Sequence, residues 1–185
     1  MIEDVLKELR QGIDKTIEAL RRDLGKVRTG RANAVMLDGV RVDYYGVQTP
    51  LNQMANISVP EPRLIIVKPW EKGQVRAVDK AIREADLGLN PQVDADIIRI
   101  PIPALTEERR KEMVKLTKKY GEECKVAVRK HRRDAMEMLD TLDKDGDVST
   151  DEADRAKKKV EDVMAETVKH IDSIIAGKEK DIVEV

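Results

Sequence analysis

Phenylalanine is missing from this chain of 185 residues, tryptophan occurs once and tyrosine three times. So few aromatics do not make a base-stacking platform of the single-strand-binding kind, and they suit long amphipathic helices better than one bulky core. A single cysteine, Cys124, excludes an intrachain disulfide framework and reads as a small buried apolar residue. No apolar run is long enough to span a membrane and no leader peptide is visible, so a cytosol-like, cytoplasmic setting without a membrane partner is expected. Charge of one sign is also lacking: Lys and Arg number 35 against 36 Asp and Glu, a net of −1. Taken alone, that balance argues against a nucleic-acid binder. Glycine-rich phosphate loops, zinc-ligand spacings and nucleophile motifs are absent too. An enzyme is therefore the weakest reading, and neither cofactor nor metal is expected.

What the chain does have is charge, 38% of its residues, and one long uninterrupted stretch from Leu105 to Leu142. Pro101 and Pro103 precede it and Asp145-Gly146 follows it. Thr106 is placed to cap its start, with Glu107 and Glu108 where the helix dipole favours acid. Only Gly121 weakens helix propensity inside it. As one helix it is about 50–55 Å long. Met113, Leu116, Tyr120, Cys124, Ala127, His131, Ala135, Met138 and Leu142 recur every three or four residues and predict a buried stripe. Roughly opposite lie Lys111, Lys115, Lys118, Lys125, Arg129, Arg132 and Arg133, broken only by Glu122. Charge is segregated accordingly: residues 105–142 sum to +3, while residues 143–185 hold eight basic and thirteen acidic residues, −5. A local field of this kind steers an anion even when the total is near zero. Two readings of the basic face stand: a solvated helix surface, or a polyphosphate-binding face. A solvated face usually interleaves acids one turn apart, and this one is strongest in arginine, which forks onto phosphate.

Residues 2–28 repeat the helical pattern with Ile2, Leu6, Leu9, Ile13, Ile17, Leu20, Leu24 and Val27, a narrow seam expected to stop near Thr29-Gly30. A third helix is expected from Ser149, a cap with Glu152 three residues on, and carries Ala153, Ala156, Val160, Val163, Thr167, Ile171 and Ile174. Three helices with one seam each bury those seams as a three-helix bundle. Between the first two the pattern changes to strand alternation. Short strands are expected near Val40–Tyr44, Val47–Leu51, Asn56–Val59, Leu64–Val67 and Ile98–Ile102, with turns at Tyr45-Gly46 and Asp86–Pro91. One helix is expected at Glu71–Ala85, with Val75, Val78, Ile82 and Ala85 inward. The predicted fold class is α+β: an elongated bundle of residues 1–29 and 105–185 with residues 30–104 inserted as a small β-rich α+β domain. Two chain crossings join them, Thr29-Gly30-Arg31 and Pro103-Ala104-Leu105. Two adjacent crossings predict a hinge.

Asp143-Lys-Asp145-Gly-Asp147 resembles the opening of a calcium loop, but Val148 stands where a glycine is needed and Asp154 where a bidentate glutamate is needed. His131, on the apolar stripe, is expected to be a packed residue rather than a base, and His170 has no evident partner.

Several segments together resemble the ribosome recycling factor family. These are Val27-Arg-Thr-Gly-Arg-Ala32, Asp43-Tyr-Tyr-Gly46, Thr49-Pro-Leu-Asn-Gln53, Asp86-Leu-Gly-Leu-Asn-Pro91, Ile98-Arg-Ile-Pro101, Leu105-Thr-Glu-Glu-Arg-Arg-Lys111, and Val126-Ala-Val-Arg129 leading to Arg132-Arg-Asp-Ala135. They follow the family's order and cover nearly the whole chain. The resemblance implies an L-shaped protein about the size of a tRNA. It implies binding to the post-termination ribosome, with the bundle against large-subunit rRNA, and subunit splitting with elongation factor G and GTP. The family's arginines match Arg110, Arg129, Arg132 and, more loosely, Arg133; with Lys118 and Lys125 from the basic face these are the expected rRNA-binding residues. Lys130 and His131 depart from the family's usual Asn and aliphatic residue. A monomer is expected. The rival from another class is a coiled-coil-like scaffold whose seams bind partner helices, and it predicts oligomers and salt-indifferent binding.

Overall fold

A computed structural model describes residues 1–184. The element order is α1 (Ile2–Gly25), β1 (Arg41–Tyr44), β2 (Val47–Pro50), β3 (Ala55–Glu61), β4 (Leu64–Pro69), α2 (Val75–Glu84), β5 (Gln92–Asp94), β6 (Ile97–Pro101), α3 (Glu107–Lys144) and α4 (Thr150–Val183). Contacts divide the chain into two units, Met1–Val27 with Lys111–Ile182, and a second built on Arg28–Arg110. Each has its own core.

In the first unit α1, α3 and α4 share one apolar interior. Leu6, Leu9, Ile13, Leu20 and Leu24 from α1 meet Cys124, Val128, Ala135 and Leu139 from α3 and Val160, Met164 and Ile171 from α4. The buried sector of α3 is rotated from the expected stripe. Its fully covered positions are Thr117, Val128 and Leu139, while Met138 is 39% exposed. Thr117 and Gly121 on this sector carry no apolar signal, whereas Val128 and Leu139 do. A Cβ on Gly121 would stand 2.9 Å from Cγ1 of Ile175 on α4, so the helices approach there only because the side chain is absent. Thr117 is tolerated beside it because its hydroxyl donates to the Met113 carbonyl at 2.8 Å.

Helix ends follow local chemistry. Thr106 caps α3 by accepting from the Arg109 N–H at 3.2 Å. Gly146 takes φ +75° after the last turn, where the Asp147 N–H reaches the Leu142 carbonyl at 3.0 Å. Ser149 and Glu152 close a reciprocal cap on α4: the Ser149 N–H donates to Oε2 at 2.9 Å and the Glu152 N–H to Oγ at 3.2 Å. The helix α1 stops at Gly25, short of the expected Thr29, because Lys26 and Val27 close tighter bonds to the Asp23 and Leu24 carbonyls.

The second unit is an antiparallel sheet in the order β3-β4-β6-β5, a separate β1-β2 hairpin, and α2. Val42, Ile65, Val67, Val78, Ile98 and Ile100 are its fully buried centre. Tyr45 and Gly46 both have positive φ, the two-residue turn that matches strand twist, and the Gly46 N–H is tied to Oδ1 of Asp43 at 2.9 Å. Pro60 lies within β3 on the sheet edge, where the register shifts between Ser58 and Glu61. Strand β5 and a 3₁₀ turn at Ala34–Leu37 were not expected. All three β5 residues are exposed, so no inward alternation marks it. The helix expected from Glu71 begins as a 3₁₀ turn at Lys72–Gln74, with the α-helix starting only at Val75. No helix among the described residues is long and apolar enough to cross a membrane.

Candidate nucleic-acid interface

The outer face of α3 is one continuous surface, because the helix runs unbroken through Gly121 for 38 residues. Lys115, Lys118, Arg129 and Arg133 are exposed on it and make no ion pair among the described residues. Lys115 and Lys118 lie one turn apart, as do Arg129 and Arg133, with about three turns between the two pairs, all on one face. Arg110 is half-buried one turn into the helix. Val126, 61% exposed, is an apolar member of the face that the charge pattern conceals.

Lys125 and Arg132 stand apart from that row. Both lean to the flank that meets α4. The Lys125 ammonium is 2.7 Å from Oδ1 of Asp172 and 3.7 Å from Oε1 of Glu122, and its side chain is only 19% exposed. The Asp172 bond is the chief cause that holds its pKa above the ordinary lysine value. Lys125, expected among the rRNA-binding residues, is thus placed as a brace between α3 and α4. Arg132 pairs with Glu161, from Nε at 3.0 Å and also from Nη2, yet 42% of its side chain remains exposed. A third interhelical pair, Lys157 to Asp140 at 2.5 Å, lies further along and holds the Asp140 carboxyl below its usual range. The partners Asp172 and Glu161 were invisible to sequence reasoning, since the register of α4 against α3 is set by side-chain packing and not by either helix alone.

His131 sits on the other flank, against α1. The Thr16 hydroxyl donates to the Gly12 carbonyl at 2.8 Å, and Nε2 of His131 is 3.0 Å from the same hydroxyl oxygen. With the hydroxyl hydrogen used on the carbonyl, Nε2 is the donor in that contact. A Cβ on Gly12 would be 2.8 Å from Nδ1, so the missing side chain makes room for the ring. The histidine is an interhelical packing residue, as expected. Cys124 is buried, which pushes its thiol pKa up.

The two expected hinge strands are locally ordered. The Thr29 hydroxyl accepts from the Arg31 N–H at 3.3 Å, and Gly30 takes φ +75°. The Ala32 N–H donates to the Pro62 carbonyl at 2.7 Å, and the Ile102 N–H to the Arg63 carbonyl at 2.8 Å. Both strands are thus fastened to the one β3–β4 turn. Pro103, Ala104 and Leu105 follow without regular structure.

The fold and this face define a class: three-helix bundles interrupted by an α+β insert and carrying a ladder of cations on the central helix. The family model for ribosome recycling factors matches residues 20–183, and the chain belongs to that family. It is 78% identical over 185 residues to a ribosome-recycling factor of Sorangium cellulosum, covering all of both chains, and 57% identical over 183 residues to one of Anaeromyxobacter dehalogenans, covering 99% and 97%. The solution structure of a ribosome recycling factor aligns with TM-score 0.78 at 38% identity over 100% of this chain and 98% of that one. A second similar structure belongs to models for a T. thermophilus ribosome recycling factor and the E. coli elongation factor G bound to the E. coli post-termination complex; it aligns with TM-score 0.68 at 39% identity over 99% of each chain.

Proposed function

We propose that this protein binds the post-termination ribosome as a cytoplasmic monomer and, with elongation factor G and GTP hydrolysed on that factor, promotes subunit splitting and release of mRNA and tRNA. It hydrolyses nothing itself. In this reading residues 1–29 and 105–185 are the rRNA-binding bundle, and 30–104 the domain that takes the push. The observation that carries the reading is the unbroken outer face of α3, with Lys118, Arg129 and Arg133 exposed along it and without an ion-pair partner among the described residues. Arg110 and Arg132 flank them as further phosphate ligands. Such a face binds RNA through its backbone, with affinity that falls with salt and reads little sequence. Thr29-Gly30-Arg31 and Pro103-Ala104-Leu105 act as the hinge. Gly30, in a left-handed conformation, and the irregular second strand support that assignment.

Arg129→Glu and Arg133→Glu test this reading. Each is expected to weaken co-sedimentation with ribosomes by tenfold or more, on the order of 1.4 kcal/mol, and to flatten the salt dependence, while circular dichroism stays unchanged. Undiminished binding would refute the assigned face.

A further inference from the structure

We propose that Glu161 is a positioning residue for RNA binding: it holds the Arg132 guanidinium so that the unengaged Nη1 corner is offered to a backbone phosphate. The inference rests on the outer face of α3 being the RNA-binding surface. Arg132 uses Nε and Nη2 on the single oxygen Oε1 of Glu161. A guanidinium has five N–H donors in a fixed plane. This contact occupies one edge and leaves both Nη1 hydrogens and one on Nη2. The edge left over is reachable, because the two side chains keep 42% and 51% of their surface.

The neighbours sharpen the contrast. Arg129 and Arg133 are exposed without a partner among the described residues, so each loses side-chain freedom when it grips an anion. Arg132 has given up that freedom before any ligand arrives. Lys125 is held too, but its compact ammonium lies against two carboxylates and its side chain is 19% exposed. A point charge held beside two carboxylates has no second flat edge to offer a phosphate, whereas a planar fork engaged on one edge still has another. Glu161 lies on α4, so the phosphate ligand on α3 is aimed by the helix packed beside it.

The test measures affinity of the full chain for isolated large ribosomal subunits by co-sedimentation across a salt series. The variants are Glu161→Ala, Glu161→Gln, Arg132→Ala, Arg129→Glu and the double variant Glu161→Ala/Arg132→Ala. Glu161→Ala is expected to weaken binding by about three- to tenfold with the salt slope unchanged, since the number of phosphates contacted is the same. Glu161→Gln keeps an acceptor oxygen and should recover most of the loss. In the Arg132→Ala background, Glu161→Ala should change nothing further. Tighter binding by Glu161→Ala or Glu161→Gln would overturn the proposal, marking Glu161 as a counter-ion that RNA must displace. No change would overturn it, and so would an equal loss in both arginine backgrounds, which marks a structural brace. If Arg129→Glu and Arg132→Ala both bind like the unaltered chain, the face itself is wrong. That result is distinct from a failure confined to Glu161.

Discussion

At the scale of single residues, absence of a side chain does as much as presence. Gly121 and Gly177 are both helical glycines, yet they are opposites. An added Cβ at Gly121 meets Ile175 at 2.9 Å, whereas at Gly177 it meets nothing within 4 Å. Gly177→Ala should stabilise the bundle by about 0.5–1 kcal/mol, from helix propensity alone. Gly121→Ala gains the same propensity but overpacks the α3–α4 contact at a cost of about 1–3 kcal/mol, so the net change is destabilising. Thermal unfolding of the two variants, with Ile175→Ala as the compensating partner for the second, since it removes both Cγ1 and Cδ1, checks the sign. The sequence marks Gly121 only as a weak point in a helix. That it lies at the centre of the contact was not legible, because a glycine adds nothing to a hydrophobic pattern. The same blindness hid Thr117, a polar residue on the buried sector, and the predicted stripe included Met138, which is 39% exposed. The charged residues divide likewise: seven cations form one row in projection, and only the position of α4 shows that Lys125 and Arg132 pair with its carboxylates while Arg129 and Arg133 have no ion-pair partner among the described residues.

At the scale of elements, the caps decide where helices begin and how they respond to acid. The Ser149 backbone and hydroxyl hold the Glu152 carboxyl below its ordinary value, and Lys157 does the same for Asp140. Both carboxylates are lowered in the folded state. The stability they add is therefore fully present above the usual carboxylate range and lost as pH falls through their lower folded values. Glu152→Gln and Asp140→Asn should lower stability at neutral pH and converge with the unaltered chain in acid, so that the acid limb of the stability curve below about pH 4 is flattened, as followed by urea unfolding at several pH values. Ser149→Ala should cost about 1 kcal/mol at neutral pH and less once Glu152 is protonated, because part of the loss is the hydroxyl's bond to that carboxylate. These caps were readable because their spacing is local: Thr106 and Ser149 each announce a helix within three residues. Strand β5 was not readable, since three exposed residues paired only to β6 carry neither alternation nor burial.

At the scale of the molecule, two separate hydrophobic interiors share one chain, and the chain enters and leaves the second through neighbouring strands. Scanning calorimetry should resolve two unfolding steps, and a fragment spanning residues 28–110 should fold by itself; a single transition together with an unfolded fragment would contradict this. The sequence signal for two units is the change of periodicity from helical to alternating after the first helix and back before the second; the boundaries it suggests, 29/30 and 104/105, differ from the 27/28 and 110/111 at which the contacts divide the chain. The family resemblance added the functional reading that periodicity lacks. The shared anchorage of Ala32 and Ile102 on Pro62 and Arg63 has a mechanical corollary. Traction applied through either strand arrives at the same loop, so the insert is suspended from a single point instead of being stretched end to end. Its sheet is spared the load that would otherwise shear it apart.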